Sequence, residues 1–413
     1  MKAPSNLLVH GSIPFGDQTH AELASLARTE GVSIAEAQRA ELHPSTILPN
    51  PTGVYDKFYT PIGKILVDGA IFNDAANAVA TGKSINQIVA RLEKLKSAVR
   101  KETGRRKFES GDKGFAYINA CNKFIEWVAD PLRRPLPSPI FVLGNEKLPF
   151  WQFSTIPGVT CPGAGECLTR LNPKRGQSKR GYCYSFKGWR NIYPFFRQLM
   201  NTMLLRLDGG RLIRDEWMKL PQGETIRLYV DGDVDSRETL DFWMDLCHLR
   251  SDLHVYAYSK SWKIFIKRHR ERPNDWPENY VLNISNSSRY WNDKELREAV
   301  AALPITRGLF ISIDTMLHGA GTHMPKWDED EMGPEPKDFD NRTLPGHAEH
   351  MEDVKNTAKS LGVSSWVPGQ NKSFIWACPG FCHNCMVNPK TGENVHACGN
   401  KRLTGVPIVI GIH

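Results

Sequence analysis

The chain has 413 residues, of which 40% are hydrophobic, so it is long enough to bury a full core without help from disulfides. Its formal net charge of +8 suits a partner that carries phosphates and equally suits an ordinary solvated surface. No stretch approaches the roughly 18 to 20 apolar residues of a membrane span, and the N-terminus lacks the apolar run of a secretory signal. The sequence therefore predicts a cytoplasmic protein, in which nine cysteines are not expected to pair as disulfides.

Residues 1–138 are predicted to form a helical, basic region. Apolar residues recur at the helical period from Ser84 to Glu102, which predicts a helix there. The remaining faces of this helix are basic, so it is either an ordinary solvated helix or a surface that lies against nucleic acid. The Pro-rich joint DPLRRPLPSP predicts a domain boundary at Pro139.

Residues 139–377 alternate short apolar strands with helices. The expected strands are PIFVLG, TIRLYVDGDV, LHVYAYSK, YVLNISNS, GLFISID and KSFIWAC. The expected helices are TLDFWMDLCHLR, WKIFIKRHRER and KELREAVAAL, and capping boxes are predicted to begin at Asp235 and Asn292. Alternation of this kind predicts an α/β fold with a parallel sheet, in the form of a closed or partial β/α (TIM-like) barrel. An open doubly wound sheet is the alternative.

Cysteines form two groups in loops rich in Gly and Pro. The first group, Cys161, Cys167 and Cys183, offers three thiols, which would leave one iron of a [4Fe-4S] cluster open. The second lies in a predicted metal-binding segment, residues 378–413.

That second group consists of Cys378, Cys382, Cys385 and Cys398. Its four thiols suffice for either a [4Fe-4S] cluster or a zinc ion. The spacing of the first three is common among ligands of iron–sulfur clusters, and zinc is the alternative. Cys121 and Cys247 are expected to be packing residues.

Polar residues follow several of the expected strands, where chemistry collects in a β/α barrel. These residues are Asp231, Asp233, Ser259, Lys260, Ser285, Asn286 and Asp314. Asp233 and Lys260 are the catalytic candidates, and Asp231, Ser285 and Asn286 are candidates for cofactor binding. Helix capping and turn chemistry are the alternative explanation for Asp233 and Asp314.

The runs FSTIPGVTCPGAGEC, CYSFKG, IRLYVDGDVDSRETLDFW and VYAYSKS, together with the Cys-rich tail, resemble the phage-borne iron–sulfur family called gene product 88. More distantly, they are similar to radical S-adenosylmethionine barrel enzymes. The resemblance covers roughly Trp151 to Cys398. It implies that the first cysteine group forms a cluster loop, and that Gly232 and Asp233 contact the amino group of S-adenosylmethionine. A phage-encoded chain would act in the cytoplasm of its host.

Two functions follow from these patterns. The first is a [4Fe-4S] protein with one or two clusters that acts, with S-adenosylmethionine and an external reductant, on a nucleotide or nucleic acid. The second is a non-catalytic protein that iron–sulfur clusters or zinc stabilise and that binds nucleic acid or senses redox state. They differ in whether one iron is open to a ligand.

Overall fold

The structure is a computed structural model of the whole chain. The residues that it describes are 89–90, 93, 96–97, 113–144, 148–157, 160–165, 169–172, 177–180, 185, 192–313, 343–363, 374–380, 382, 385–387 and 394–411. They form two compact units. The first unit consists of the described residues within 1–141, Phe153–Leu220 and Tyr229–Phe242. The second unit consists of the described residues within Val142–Gln152, Pro221–Leu228 and 243–413.

Short strands and helices alternate along the described chain. The strands are β1 (Val142–Leu143), β2 (Trp151–Phe153), β3 (Thr169–Asn172), β4 (Gln177–Arg180), β5 (Thr225–Leu228), β6 (His254–Ser259), β7 (Tyr280–Ser285), β8 (Thr306–Ile313), β9 (Trp376–Ala377), β10 (Met386–Val387), β11 (Asn394–Val395) and β12 (Ile408–Gly411). The helices are α1 (Lys113–Ala129), α2 (Ile192–Leu204), α3 (Arg211–Trp217), α4 (Arg237–Leu249), α5 (Trp262–Glu271), α6 (Lys294–Ala301) and α7 (His347–Ser360). None of these helices is long and apolar enough to cross a membrane.

Eight strands form one sheet in the order β1-β2-β5-β6-β7-β8-β12-β9. The neighbouring strands in the run β5-β6-β7-β8-β12-β9 pair in parallel. Strands β1 and β2 pair antiparallel. The predicted α/β class with a largely parallel sheet is therefore confirmed. A closed barrel is not found, because β1 and β9 stand at the two ends of the strand order in the described part of the chain.

Different segments of the chain pack on the two faces of this sheet. Side chains alternate between the faces of a strand, so Ile408 and Gly411 of β12 lie on opposite faces. Helix α7 covers the face of Gly411, where an added Cβ would stand 2.8 Å from a ring nitrogen of His350. On the face of Ile408, the buried residues Tyr256 and Cys398 pack together. The C-terminal cysteine segment thus covers the face opposite α7.

Aromatic packing and buried amides hold the first unit together. Phe124 of α1 stacks on Phe196 of α2, with 4.8 Å between ring centroids. The side-chain amide of Asn201 donates to the carbonyls of Ile140 (3.2 Å) and Ser154 (3.0 Å). These bonds satisfy backbone groups that burial would otherwise leave without a partner.

The structure corrects several details of the expected elements. Strand β12 and helix α7 are not among the expected elements, and β12 places part of the segment after residue 378 in the sheet, between β8 and the end strand β9. Helix α6 is capped by Asp293, whose carboxylate accepts the N–H of Leu296 (3.0 Å), and not by Asn292. The described residues within the expected helix Ser84–Glu102 are helical, and the rest of it lies outside the described residues.

The predicted N-cap of α4, Asp235, is also displaced by one residue. The Ser236 hydroxyl, and not Asp235, accepts the N–H of Thr239 (3.1 Å). Asp235 instead accepts the Thr239 hydroxyl (2.7 Å) and pairs with Arg206, and the two charged side chains are only 6% and 11% exposed. Breaking such a pair leaves one charge buried and uncompensated.

Replacing Arg206 with Met should therefore lower the free energy of unfolding by about 3–5 kcal/mol, measured by denaturant titration. The control is Arg211→Met, which removes the exposed pair with Asp208, where the side chains are 53% and 47% exposed. Water screens that pair, so its loss should change the free energy of unfolding much less than the loss of Arg206 does. Equal losses in the two variants would contradict this account of Asp235.

Candidate metal centre

The four C-terminal cysteines all belong to the connection between β9 and β12. Cys378 directly follows β9, and its N–H donates to the carbonyl of Val409 in β12 (2.7 Å). The N–H of Cys385 donates to the carbonyl of Cys382 (3.2 Å), which closes a tight turn between the two. Cys398 is buried and the other three are partly exposed. Cys378 and Cys385 pack against the buried cluster that contains Cys398, so residues distant in sequence are held beside one sheet face.

The other three thiols act electrostatically on that of Cys378. Burial raises the pKa of Cys378 well above its ordinary value, and Cys398, Cys385 and Cys382 raise it further, in that order of effect. Free thiols in this position would stay protonated at neutral pH. Thiolates would need positive charge nearby to compensate their repulsion and their loss of solvent.

Two arginines supply positive charge on this face. Burial raises the pKa of Cys398, while Arg307, a hydrogen bond from Tyr258 and Arg227 each lower it. The guanidinium carbon of Arg227 lies 4.8 Å from the ring centroid of Tyr258. Burial also raises the pKa of Tyr258 well above its usual range, so its hydroxyl remains a donor. These three groups offset part of the effect of burial, which stays the larger, so the pKa of Cys398 remains raised.

Two buried nitrogen atoms in the lining lack partners among the described residues. They are Nε1 of Trp376, which packs against the cluster that contains Cys398, and Nε2 of His396. The His396 ring lies 4.5 Å from Phe150 and 5.0 Å from Tyr256, between centroids, and burial is the main cause that lowers its pKa to about 4. Its imidazole is thus neutral at pH 7. Unsatisfied buried N–H groups are costly unless an acceptor is supplied.

Glycine at position 399 allows the close approach of His396 to the segment that carries Cys398. A Cβ at Gly399 would lie 2.2 Å from Nε2 of His396. Among the residues that the structure describes, no three Cys, His, Asp or Glu side chains are spaced to hold a metal ion. The residue types nevertheless fit one by their chemistry, because four cysteines in one connection, with cations and N–H donors near Cys398, are a ligand set that a four-thiolate centre uses.

Of the first cysteine group, Cys161 alone lies within the described residues. It is partly exposed, and its carbonyl accepts the N–H of Ala164 (3.0 Å). Cys167 and Cys183 lie outside the described residues. Between them, β3 and β4 form an antiparallel hairpin in which Arg170 stands opposite Lys179. The sharing of a metal by these three cysteines stays a prediction.

The turn that contains Asp231, Gly232 and Asp233 packs beside the chain that leads to Cys161. The N–H of Thr155 donates to the Asp231 carbonyl (3.0 Å), and the hydroxyl oxygens of Thr155 and Thr160 are 2.9 Å apart. Gly232 adopts a positive φ of 82°, and an added Cβ would lie 2.0 Å from the Thr155 hydroxyl. The positive φ and the close contact with Thr155 therefore explain why glycine occupies position 232.

Both aspartates of this turn make hydrogen bonds within the unit. The Asp231 carboxylate accepts the side-chain amide of Gln198 (2.9 Å). Asp233 is buried, and its carboxylate accepts the N–H of Val234 (2.7 Å). These bonds fix the turn geometry, and the predicted catalytic role of Asp233 remains a prediction.

The other strand-end candidates lie after β6 and β7. Lys260 is partly buried, and its carbonyl accepts the Ser288 hydroxyl (2.8 Å). Ser285 is buried and donates to the carbonyl of Asn286 (3.2 Å). The Asn286 amide exchanges two hydrogen bonds of 2.9 Å with the backbone of Ser312, so it joins β7 to β8. Asp314 lies outside the described residues.

The two cysteines expected to be packing residues are buried. Cys121 is 1% exposed, and burial raises its pKa to about 12. Cys247 is fully buried, and burial raises its pKa still further. Neutral thiols of this kind are inert.

Sequence reasoning missed the residues that surround the C-terminal thiols. Arg307, Tyr258, His396 and Trp376 come from four separate segments, and no motif links them to the cysteines. The sequence does show one unusual feature, which is Arg307 near the start of the apolar strand TRGLFISI. A buried strand favours apolar residues at such a position.

A family model described as Gene product 88 matches residues 133–316. The match supports the family resemblance seen in the sequence, and it ends before the C-terminal cysteines. No curated protein and no solved structure matches the chain.

Replacing Gly232 with Ala should destabilise the protein more than replacing Gly223. Both residues have positive φ, 82° and 76°, but an added Cβ meets Thr155 at position 232 and nothing within 4 Å at position 223. Gly223→Ala should therefore cost only the backbone strain, about 1–2 kcal/mol. Denaturant titration of both variants measures the difference, and equal losses would refute the packing role of Gly232.

Proposed function

We propose that this chain is an iron–sulfur protein whose C-terminal cysteines, Cys378, Cys382, Cys385 and Cys398, together hold one [4Fe-4S] cluster. The observation that carries the proposal is the packing of Cys378 and Cys385 against the buried cluster that contains Cys398, beside the buried cation Arg307. Each of the other three cysteines acts electrostatically on Cys378, and Arg307 and Arg227 act on Cys398. Neutral thiols carry no charge for these cations to compensate, whereas a centre of four thiolates does.

The charge balance supports a bound metal centre. Four thiolates around a [4Fe-4S] core or a zinc ion leave a net negative charge. Burial of that charge is tolerable only when positive groups and hydrogen-bond donors surround it. Arg307, Arg227 and the Tyr258 hydroxyl are such groups, and the indole N–H of Trp376 is a further donor in the lining. When bound, the cluster would supply one-electron redox chemistry and would tie the segment together.

The position of the cysteines supports a structural contribution as well. Adjacent parallel strands need a long crossover connection, which is usually a helix. Between the parallel neighbours β9 and β12, the connection instead carries all four cysteines. A metal centre would tie this connection to the sheet and thereby hold β12 between β8 and β9.

A second candidate function is a catalytic one that uses an open cluster at Cys161, Cys167 and Cys183, in a partial β/α barrel resembling radical S-adenosylmethionine enzymes. The position of the Asp231–Asp233 turn beside the chain that leads to Cys161 favours it, since the N–H of Thr155 donates to the Asp231 carbonyl (3.0 Å). In this proposal Asp233 acts beside the cluster loop, and the catalytic role of Lys260 stays a prediction.

A nucleotide or nucleic acid would be the substrate of this second function. The hairpin β3–β4 is basic, since Arg170 and Lys179 are opposite each other. Paired cations of this kind would contact the phosphates of the substrate.

Protein purified without oxygen should contain iron and acid-labile sulfide in nearly equal amounts. Replacement of Cys378, Cys382, Cys385 or Cys398 by Ser should remove one cluster, because the thiolate is the metal ligand. Metal and sulfide analysis of each variant measures the loss. The controls are Cys121→Ser and Cys247→Ser, which remove buried thiols outside the site.

Those controls should keep the full iron content. Stoichiometric zinc without sulfide in the unmodified chain would overturn the iron–sulfur proposal. Equal iron loss from ligand variants and controls would show that the cysteines are wrongly divided.

Addition of S-adenosylmethionine should change the electron paramagnetic resonance spectrum of the reduced protein if an iron is open. Asp233→Asn should weaken the change, because it removes the charge of a carboxylate in the turn beside the Cys161 loop. Asp252→Asn, at a partly exposed carboxylate of the second unit, is the control. A spectrum that the compound leaves unchanged would refute the second candidate and leave the C-terminal cluster untouched.

A further inference from the structure

Arg307 is a cation buried among neutral partners. It is 1% exposed in β8, and its guanidinium donates to Asn283 Oδ1 (2.6 Å), to the Val406 carbonyl (2.7 Å) and to the Leu309 carbonyl of its own strand (2.9 Å). No Asp or Glu of the described chain pairs with it. A buried charge without an opposite charge is strongly unfavourable, so its position requires an explanation.

Asn283 connects this cation to Cys398. Its carbonyl oxygen accepts from Arg307, and its amide nitrogen donates to the backbone carbonyl of Cys398 (2.9 Å) and to that of Ala257 (3.2 Å). The Arg307 carbonyl in turn accepts the N–H of Gly405 (2.6 Å). Arg307 is therefore held rigidly between β7 and the segment that follows Cys398.

The rigid hold matters because the charge cannot move away when the site changes charge. A long cationic side chain at the surface would reorient, and water would screen it. Arg307 is fixed in a buried position, where Coulomb interactions are several times stronger than in water. Burial lowers its pKa, but it stays protonated, since arginine is not deprotonated in proteins.

We infer that Arg307 is the counter-charge of the C-terminal cluster and sets the reduction potential of that cluster. The inference rests on the proposed function. One-electron reduction adds one negative charge to the site, with the electron taken from a low-potential one-electron carrier and no bond formed or broken. A fixed cation stabilises the reduced state more than the oxidised state, so it raises the reduction potential.

A redox titration of the anaerobically purified full chain, followed by electron paramagnetic resonance, tests this role. Arg307→Gln should lower the equilibrium constant for reduction by about tenfold or more, and tenfold corresponds to about 59 mV for one electron. Arg307→Lys keeps the charge and should stay within about threefold of the unmodified protein. Lys401→Gln removes an exposed charge from a neighbouring segment and should leave the potential unchanged.

If Arg307→Gln does not keep its cluster, Asn283→Asp tests the same charge in another way. It places a carboxylate of nearly the same shape beside Arg307 and should also lower the potential. A cluster-containing variant of either kind with an unchanged potential would overturn the inference and leave the iron–sulfur proposal standing. Absence of iron and sulfide from the unmodified chain would instead overturn the proposed function.

Discussion

The buried positive charge of Arg307 is the constraint on which the C-terminal half of the structure depends. Its guanidinium joins β8 to Asn283 of β7 and to the carbonyl of Val406, just before β12. Three parts of the chain that are distant in sequence therefore meet at one cation. A buried cation without an opposite charge is unfavourable, and Cys398 is the first of the described groups that act on it electrostatically.

This constraint explains why the cysteine segment packs on the sheet face opposite α7. A helix there would bury apolar side chains against β6 and β7 and would leave Arg307 without a counter-charge. The cysteine segment provides a small apolar contact through Ala397 and Cys398, together with sulfur atoms that, in the proposed function, would become anionic on binding a metal. We propose that metal binding and the insertion of β12 are therefore coupled.

Much of the sheet could be predicted because its strands are apolar and alternate with amphipathic helices. Strand β7 is buried along its whole length, which explains its nearly continuous apolar sequence. Strand β12 was missed because only four residues form it, and its partners β8 and β9 precede the cysteine segment. The N-cap of α6 was displaced by one residue because Asn292 and Asp293 are both good capping residues and only the backbone geometry chooses between them.

The candidate cysteines could be recognised in the sequence, whereas the residues around them could not. Cysteine spacing is local, so Cys378, Cys382 and Cys385 were recognisable from the sequence alone. Tyr258, Asn283 and Arg307 belong to separate strands, and only the parallel pairing of the sheet brings them to Cys398. Their role depends on tertiary structure, which no short motif encodes.

The most direct test of the central claim is a crystal structure of the anaerobically purified protein with anomalous diffraction measured at the iron absorption edge. We expect one compact iron peak bonded to the sulfur atoms of Cys378, Cys382, Cys385 and Cys398, with Arg307 beside it. A peak at the zinc edge alone, or iron bound elsewhere while these four sulfur atoms remain free, would contradict the account.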